Sequence, residues 1–406
     1  MNIPHPKFCV LPWVSLEASP IGTVRPCCLA DDELIDNSGK KFSLLTANFA
    51  DIQNSNSMQV LREQFLAGKQ PQTCRKCWME ERSGRISKRM HTLDRMKHMG
   101  ISGEWTRDAK PLMFLDLKLG NICNLKCRIC GSWSSSQFAT EEINDAPPAE
   151  KKNTYAYQML RAGAWPRENE TFWDQIDLAL NDIRYIEFTG GEPFMIDEHF
   201  DMLQGIVDRG IAHQVEIHYN TNGTQWPERG PDIWRHFKTV EVAFSIDDIG
   251  ARFEYQRTNA DWAVVLDTIT SFQYLRSQMP NLRLQCCSTV NVFNVRYIDQ
   301  LAHWIALQQF DFMYWNIMHD AWYFSIATLP DSAKVSITEH LRSADVPPQY
   351  CGDFDRIIDF MNNGASTDGF MTLMKIRDLD RKRQQNLRDV APELADIISY
   401  SKNENY

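Results

Sequence analysis

Eight of the chain's eleven cysteines fall into two groups, and their spacing is the first sign of chemistry. The stretch Gly120-Asn-Ile-Cys123-Asn-Leu-Lys-Cys127-Arg-Ile-Cys130 sets three thiols in a C-x3-C-x2-C array. Three thiolates neither close a tetrahedral zinc site nor supply every ligand of a cubane cluster. A 4Fe–4S cluster held here therefore keeps one iron open to a substrate or cofactor. Read from spacing alone, a zinc knuckle borrowing a fourth ligand and a set of buried structural thiols stay open as alternatives. Upstream, Cys9, Cys27, Cys74 and Cys77 together could satisfy one metal centre completely, with Cys28 a possible substitute for Cys27. The Cys74-Arg-Lys-Cys77 pair also suits a four-cysteine zinc ribbon. Cys286, Cys287 and Cys351 lack ligand spacing and read as small buried hydrophobes.

The elements that must position these thiols are legible from hydrophobic periodicity. Up to about residue 105 the chain is rich in turns and cysteine, with short apolar pieces. From Pro111 onward, apolar runs alternate with amphipathic segments. Strands are predicted at 112–118, 185–189, 215–220, 240–246, 282–290 and 312–317. Helices are predicted between them at 134–143, 172–183, 199–208, 232–237, 262–277 and 295–309. Such alternation favours a parallel sheet with right-handed crossovers. Residues 144–153, with Ala146-Pro147-Pro148-Ala149, read as an exposed insertion. Beyond residue 330 the chain reads as helical, near 332–342, 354–362 and 368–400. The expected division is 1–105 as a cysteine-rich module with a bridging segment, 106–330 as the strand–helix domain and 331–406 as a helical extension.

Small polar groups and glycines collect at the predicted strand ends, where ligands of β/α folds bind. The second strand runs into Gly190-Gly191-Glu192-Pro193, a glycine pair able to admit close backbone approach beside a carboxylate that accepts from an ammonium. The third ends at Asn220-Thr221-Asn222-Gly223 and the fourth at Ser245-Ile246-Asp247-Asp248. For each of these residues, capping or turn chemistry is the plain alternative.

The ordered set of motifs, from the cysteine triad to the strand ends, resembles the radical S-adenosylmethionine (SAM) superfamily over roughly residues 111–318. The resemblance implies an α/β fold, a partial (β/α)6 TIM-like barrel. It implies that Cys123, Cys127 and Cys130 hold a 4Fe–4S cluster whose open iron chelates the methionine end of SAM. Gly190, Gly191 and Glu192 would then meet the SAM amino group, Asn222 and Ser245 would hydrogen-bond near SAM, Arg257 would pair with its carboxylate, and Asn291 would face adenine. The C-x12-G-x4-C element around Gly22 resembles the first half of the SPASM/twitch auxiliary-cluster motif, here placed ahead of the barrel. That likeness implies a second, auxiliary 4Fe–4S cluster on Cys9, Cys27, Cys74 and Cys77.

On this reading SAM is cleaved reductively to methionine and a 5′-deoxyadenosyl radical that takes hydrogen from substrate, and the protein positions and shields the reaction. An auxiliary cluster with four cysteine ligands has no open iron and suits electron relay, which favours a net oxidation. The leading expectation is therefore oxidative modification of a peptide or protein side chain. The alternative is a dehydrogenase or modifying enzyme acting on an alcohol, sugar or nucleoside. A reading from another class is a non-catalytic, metal-stabilised binding protein. Asp247, His218, Tyr314 and His319 lie at or near strand ends as weak candidates for substrate-facing groups, and no general base is singled out.

Composition narrows the field further. With 43 Lys+Arg against 53 Asp+Glu the net charge is −10, which argues against a mainly electrostatic grip on nucleic acid or anionic membrane. No apolar run approaches the ~18–20 residues of a membrane span, and no signal segment opens the chain, so a cytoplasmic location is expected. An electron donor such as flavodoxin or ferredoxin is the expected partner. Residues 82–97 carry six Arg or Lys with Asp94 as their only acid. They read as a solvated helical face or linker, with a groove for an acidic peptide or phosphate-bearing substrate as the functional alternative. The run from Lys375 to Arg383 reads as an exposed helix without chemistry.

Overall fold

The computed structural model describes residues 3–82, 86–318 and 321–400. The chain divides into two compact units, residues 1–123, 132–219 and 227–240 in the first and residues 124–131, 220–226 and 241–406 in the second.

The first unit is built on parallel strands. β1 (Ser15–Ala18) pairs antiparallel with the short β2 (Val24–Arg25) and parallel with β3 (Phe114–Lys118), whose other edge carries β4 (Tyr185–Thr189). β4 pairs in turn with β5 (Glu216–Thr221) along its first-unit residues, Glu216 to Tyr219. The register aligns Glu17 with Asp116, Asp116 with Glu187, and Glu187 with His218. Because successive side chains point to opposite faces, those four residues line one face as a polar row. Ile186, Phe188, Ile217 and Tyr219 are buried on the other.

Two features depart from the expected pattern. Ser-Leu-Glu-Ala offers no β-branched residue and only four positions, yet it forms β1 and joins the cysteine-rich segment to the sheet. That segment also holds the helices Asn56–Leu66 and Arg75–Arg82, where turns are expected, and Lys88–His98, within the stretch read as a helical face or linker. Ser55 and Ser87 cap two of them by accepting from the N–H groups of Met58 and Met90. The exposed stretch 147–150 does follow the helix Ser136–Asp145, but a further helix, Tyr155–Ala162, comes after it.

Behind β4 and β5, His199 stands fully buried among Phe188, Phe200 and Tyr219. One ring nitrogen bonds the Ile196 carbonyl and the other the Tyr219 hydroxyl. Burial holds this imidazole neutral and pulls its pKa from 6.5 down to about 3. The unfolded chain therefore takes up the proton first. The contribution is complete above pH 6.5 and declines as pH falls from there towards 3, by about 1.4 kcal/mol per pH unit at most. In denaturant titrations between pH 7 and pH 5, His199→Phe is expected to lose this acid-side decline; an unchanged slope would rule His199 out as its source.

The second unit holds β6 (Thr239–Ser245, from Glu241 onward), β7 (Leu282–Val290) and β8 (Phe312–Ile317), in the order β8-β7-β6. β7 and β8 pair in parallel from Gln285–Phe312 to Val290–Ile317, and both strands coincide with the ranges predicted from sequence. The helix Trp262–Gln278 starts at Asp261, whose carboxylate accepts from the N–H groups of Ala263 and Val264. Helices at Asp331–Ser343, Cys351–Asn363 and Phe370–Arg383 make up the C-terminal part. The single helix expected over 368–400 is broken. Gln384 takes a left-handed backbone with φ 52, Asn386 caps a short new turn, and Pro392 opens another. No helix among the described residues is long and apolar enough to cross a membrane.

Candidate functional site

In the first unit, Cys123 is buried at the end of a loop that leaves β3. Its N–H donates to the Ser136 hydroxyl, which in turn donates to the Cys123 carbonyl. The Gly190-Gly191 pair packs against this loop. Gly191 and Glu192 donate their N–H groups to the carbonyls of Gly120 and Ile122. A Cβ on Gly191 would lie 2.1 Å from the Ile122 carbonyl oxygen, and Gly190 takes φ 112. The glycines thus permit backbone-to-backbone contact with the cysteine loop, beyond the ligand approach inferred from sequence. Glu192 is buried and accepts from the Phe194 N–H.

In the second unit, Cys127 and Cys130 are joined by a thiol hydrogen bond, which together with burial raises the Cys127 pKa well above its ordinary value. A two-residue antiparallel ladder sets Cys127 opposite Arg257 and Lys126 opposite Thr258. The Arg257 guanidinium reaches the Cys127 sulfur at 3.9 Å and the Asp247 carboxylate at 2.6 Å, and its Nε has no hydrogen-bond partner among the described residues. Burial works against this positive charge, but Asp247 and the two thiols outweigh it and hold Arg257 firmly protonated. Asp247 is buried and also accepts from the Thr289 N–H, so its geometry is that of a residue orienting Arg257. Asn222 donates to Asn124 of the cysteine loop and accepts from Thr224. Asn291 is fully buried in a turn; its amide donates to the Thr289 carbonyl and Gln256 and accepts from the Phe293 N–H. Ser245 closes β6, half-buried. Tyr314 is 48% exposed on β8, opposite Cys287. His319 lies outside the described residues.

The N-terminal thiols converge as well. Cys9 lies in an apolar cluster with Phe8, Trp13, Phe65 and Trp78, and Cys27 and Cys74 pack against it. Burial first, and then Cys74, Cys27 and Cys77, push the Cys9 thiol well above its usual range. Cys27 is raised to about 11, by burial and then by Cys77. Cys28 turns elsewhere. Its thiol donates to Asp116, and the charges it meets most strongly are those of Asp116, Lys88 and Glu187. Among the described residues no three ligating side chains already converge as a single metal ion requires.

Cys28 belongs to a polar group that sequence reading missed. Lys88 bridges Asp116 at 3.3 Å and Glu187 at 2.6 Å, while Glu17 is clasped by Arg25 at 2.7 Å and by Lys118. Charged residues at alternate positions within the runs FLDLK and YIEFT were the available signal. The basic stretch does not present an open groove at these positions. Besides Lys88, Arg89 is engaged by Glu81 and by the carbonyls of Pro6 and Phe8, and Arg95 by Glu216 and the Tyr185 ring. Of the three remaining cysteines only Cys286 is buried as expected. Cys287 is half-buried on the opposite face of β7, where burial, with Asp247, raises it to about 12, and Cys351 is exposed at the first turn of its helix.

Residues 117–290 match the radical SAM superfamily, and residues 9–78 match the SPASM iron–sulfur cluster-binding domain. The chain therefore carries a radical SAM domain with a SPASM iron–sulfur domain ahead of it. The mixed α/β fold class is the one expected, and the cofactors these domains imply are a 4Fe–4S cluster with SAM and further iron–sulfur ligation. Native anSMEcpe with bound AdoMet is 18% identical at a TM-score of 0.40, covering 63% of this chain and 62% of that one. SuiB of Streptococcus suis bound to precursor peptide SuiA is 12% identical at a TM-score of 0.33, covering 94% and 74%. The chain spans 62% to 66% of the length of the anSMEcpe structures it matches. No curated protein matches it.

Proposed function

We propose that this enzyme is a radical SAM oxidoreductase that modifies a peptide or protein side chain. Cys123, Cys127 and Cys130 would hold the SAM-binding 4Fe–4S cluster, and Cys9, Cys27, Cys74 and Cys77 the auxiliary one. Once reduced by an external electron donor and with SAM bound, that cluster would supply the chemistry of hydrogen-atom abstraction from carbon. The chain's own residues do the rest. Glu192 and its glycines receive the SAM amino group, Arg257, oriented by Asp247, offers N–H groups to the carboxylate, and Asn222 and Ser245 fix the neighbouring groups. Asn291 would border the adenine through its turn.

The observation that carries the oxidative part is the convergence of four N-terminal thiols with Cys28 turned away. Four cysteines complete a cubane and leave no iron for substrate, so the centre suits accepting the second electron of a two-electron oxidation. His218, in the polar row with Glu187, and Tyr314 are the side chains we place nearest substrate.

One observation favours the second reading, a small alcohol, sugar or nucleoside: Lys88, Arg89 and Arg95 are engaged within the fold and do not line a groove for an acidic peptide. The test is anaerobic turnover with SAM, a reductant and a deuterated peptide or small-molecule panel. Expected is deuterium in 5′-deoxyadenosine together with a peptide product lighter by a pair of hydrogens. Deuterium transfer from small molecules alone would overturn the peptide assignment, and a substrate returned unoxidised would overturn the oxidative one.

A further inference from the structure

Between two of the proposed cluster ligands, Cys127 and Cys130, lies an arginine whose side chain is wholly buried. Arg128 donates from Nε to the Tyr255 carbonyl at 2.8 Å and from Nη2 to Asp380 at 2.6 Å and Gln385 at 2.8 Å. Its guanidinium lies 3.6 Å from the Tyr255 ring centroid, and its backbone N–H donates to the Gln256 carbonyl. Asp380 belongs to the helix Phe370–Arg383, within the run that sequence reading left without chemistry. Its carboxylate also accepts from the hydroxyls of Tyr255 and Tyr400 and from the Leu387 N–H. Next door, Arg383 donates to Thr258, and Thr258 to Gln385. Thr258 is the residue after Arg257 and pairs with Lys126, the residue before Cys127.

Burying a guanidinium and a carboxylate is unfavourable unless geometry and further hydrogen bonds compensate. This pair is compensated nearly everywhere; Arg128 Nη1 has no hydrogen-bond partner among the described residues. An exposed loop would need no such anchor. The connection runs from the backbone between two thiols to a carboxylate 252 residues away.

We propose that Asp380 is a positioning residue for the SAM cluster: through Arg128 the C-terminal segment fixes the Cys127–Cys130 arm and so sets SAM affinity and cluster potential. This rests on the assignment of Cys127 and Cys130 as cluster ligands. Neutralising Asp380 leaves the Arg128 charge uncompensated beside the loop, which favours the more negative, reduced form of a cluster held there and moves its potential upward.

The test uses the full-length chain with both clusters reconstituted. Wild type and Asp380→Asn are compared by EPR with and without SAM, by redox titration and by SAM binding. Expected in Asp380→Asn are an upward shift in the potential of the SAM-responsive signal and about tenfold weaker SAM binding, with the auxiliary signal unchanged. A lowered melting temperature with unchanged potential and SAM affinity would overturn the proposal and leave Asp380 a purely structural residue. If Asp380→Asn does not fold, Gln385→Ala removes the other acceptor on Arg128 Nη2; weaker SAM binding supports the proposal and wild-type binding overturns it. A wild type with intact clusters but no SAM-dependent EPR change identifies a different failure, that of the cluster assignment itself.

Discussion

Replacement of Cys123, Cys127 and Cys130 together by alanine is expected to reduce 5′-deoxyadenosine formation to the no-enzyme background while iron falls by about four atoms per chain. The expectation follows from how the thiols are held. Cys127 and Cys130 share a hydrogen bond beneath a buried Arg257 charge, and Cys123 is held at both its N–H and its carbonyl by Ser136. Removing the three sulfurs leaves the Ser136 contacts to the Cys123 backbone and the Arg257–Asp247 pair in place, so the variant should keep its secondary structure and its auxiliary iron. Mass spectrometry of the nucleoside, with iron and sulfide analysis on the same sample, checks both halves. Product from a variant that has lost this iron would sink the assignment. Loss of all iron would show that the two centres do not assemble independently.

The cysteine triad stands out in the sequence because ligand spacing is local: three thiols within eight residues, directly after a strand, admit few chemistries. The strands at 185–189, 282–290 and 312–317 were readable for a related reason, since apolar and β-branched residues bounded by turns fix both ends. What stayed hidden depends on register or on distance along the chain. Nothing near Ser15 announces a strand, and only its pairing with Phe114 makes one. Glu17, Asp116, Glu187 and His218 form a row because four strands share a register that no segment encodes alone. Lys88 looked like one more surface charge until its partners on β3 and β4 were in place. The Arg128–Asp380 pair is the extreme case, because each residue in isolation has the composition of an exposed helix or loop.

Single alanine substitutions at Cys9, Cys27, Cys74 or Cys77 are expected to remove the auxiliary cluster and to lower substrate oxidation by about 10- to 100-fold, while SAM cleavage persists. They should also destabilise the N-terminal region. Its apolar cluster is contributed by short segments, Phe8 to Val14, Leu61 to Phe65, Trp78 and Met96, with cysteines packed into it, so a lost metal centre removes a cross-link between segments. Cys28→Ala is the discriminating control. Its thiol faces Asp116, Lys88 and Glu187, so the variant should hold wild-type iron and show wild-type auxiliary EPR. If Cys28→Ala lost iron as fully as Cys27→Ala, the adjacent thiol would be the ligand and would not belong to the polar group around Lys88. If the four ligand variants kept their iron–sulfur signal but released zinc, the centre would be a structural ribbon, and the second electron of the oxidation would need another acceptor.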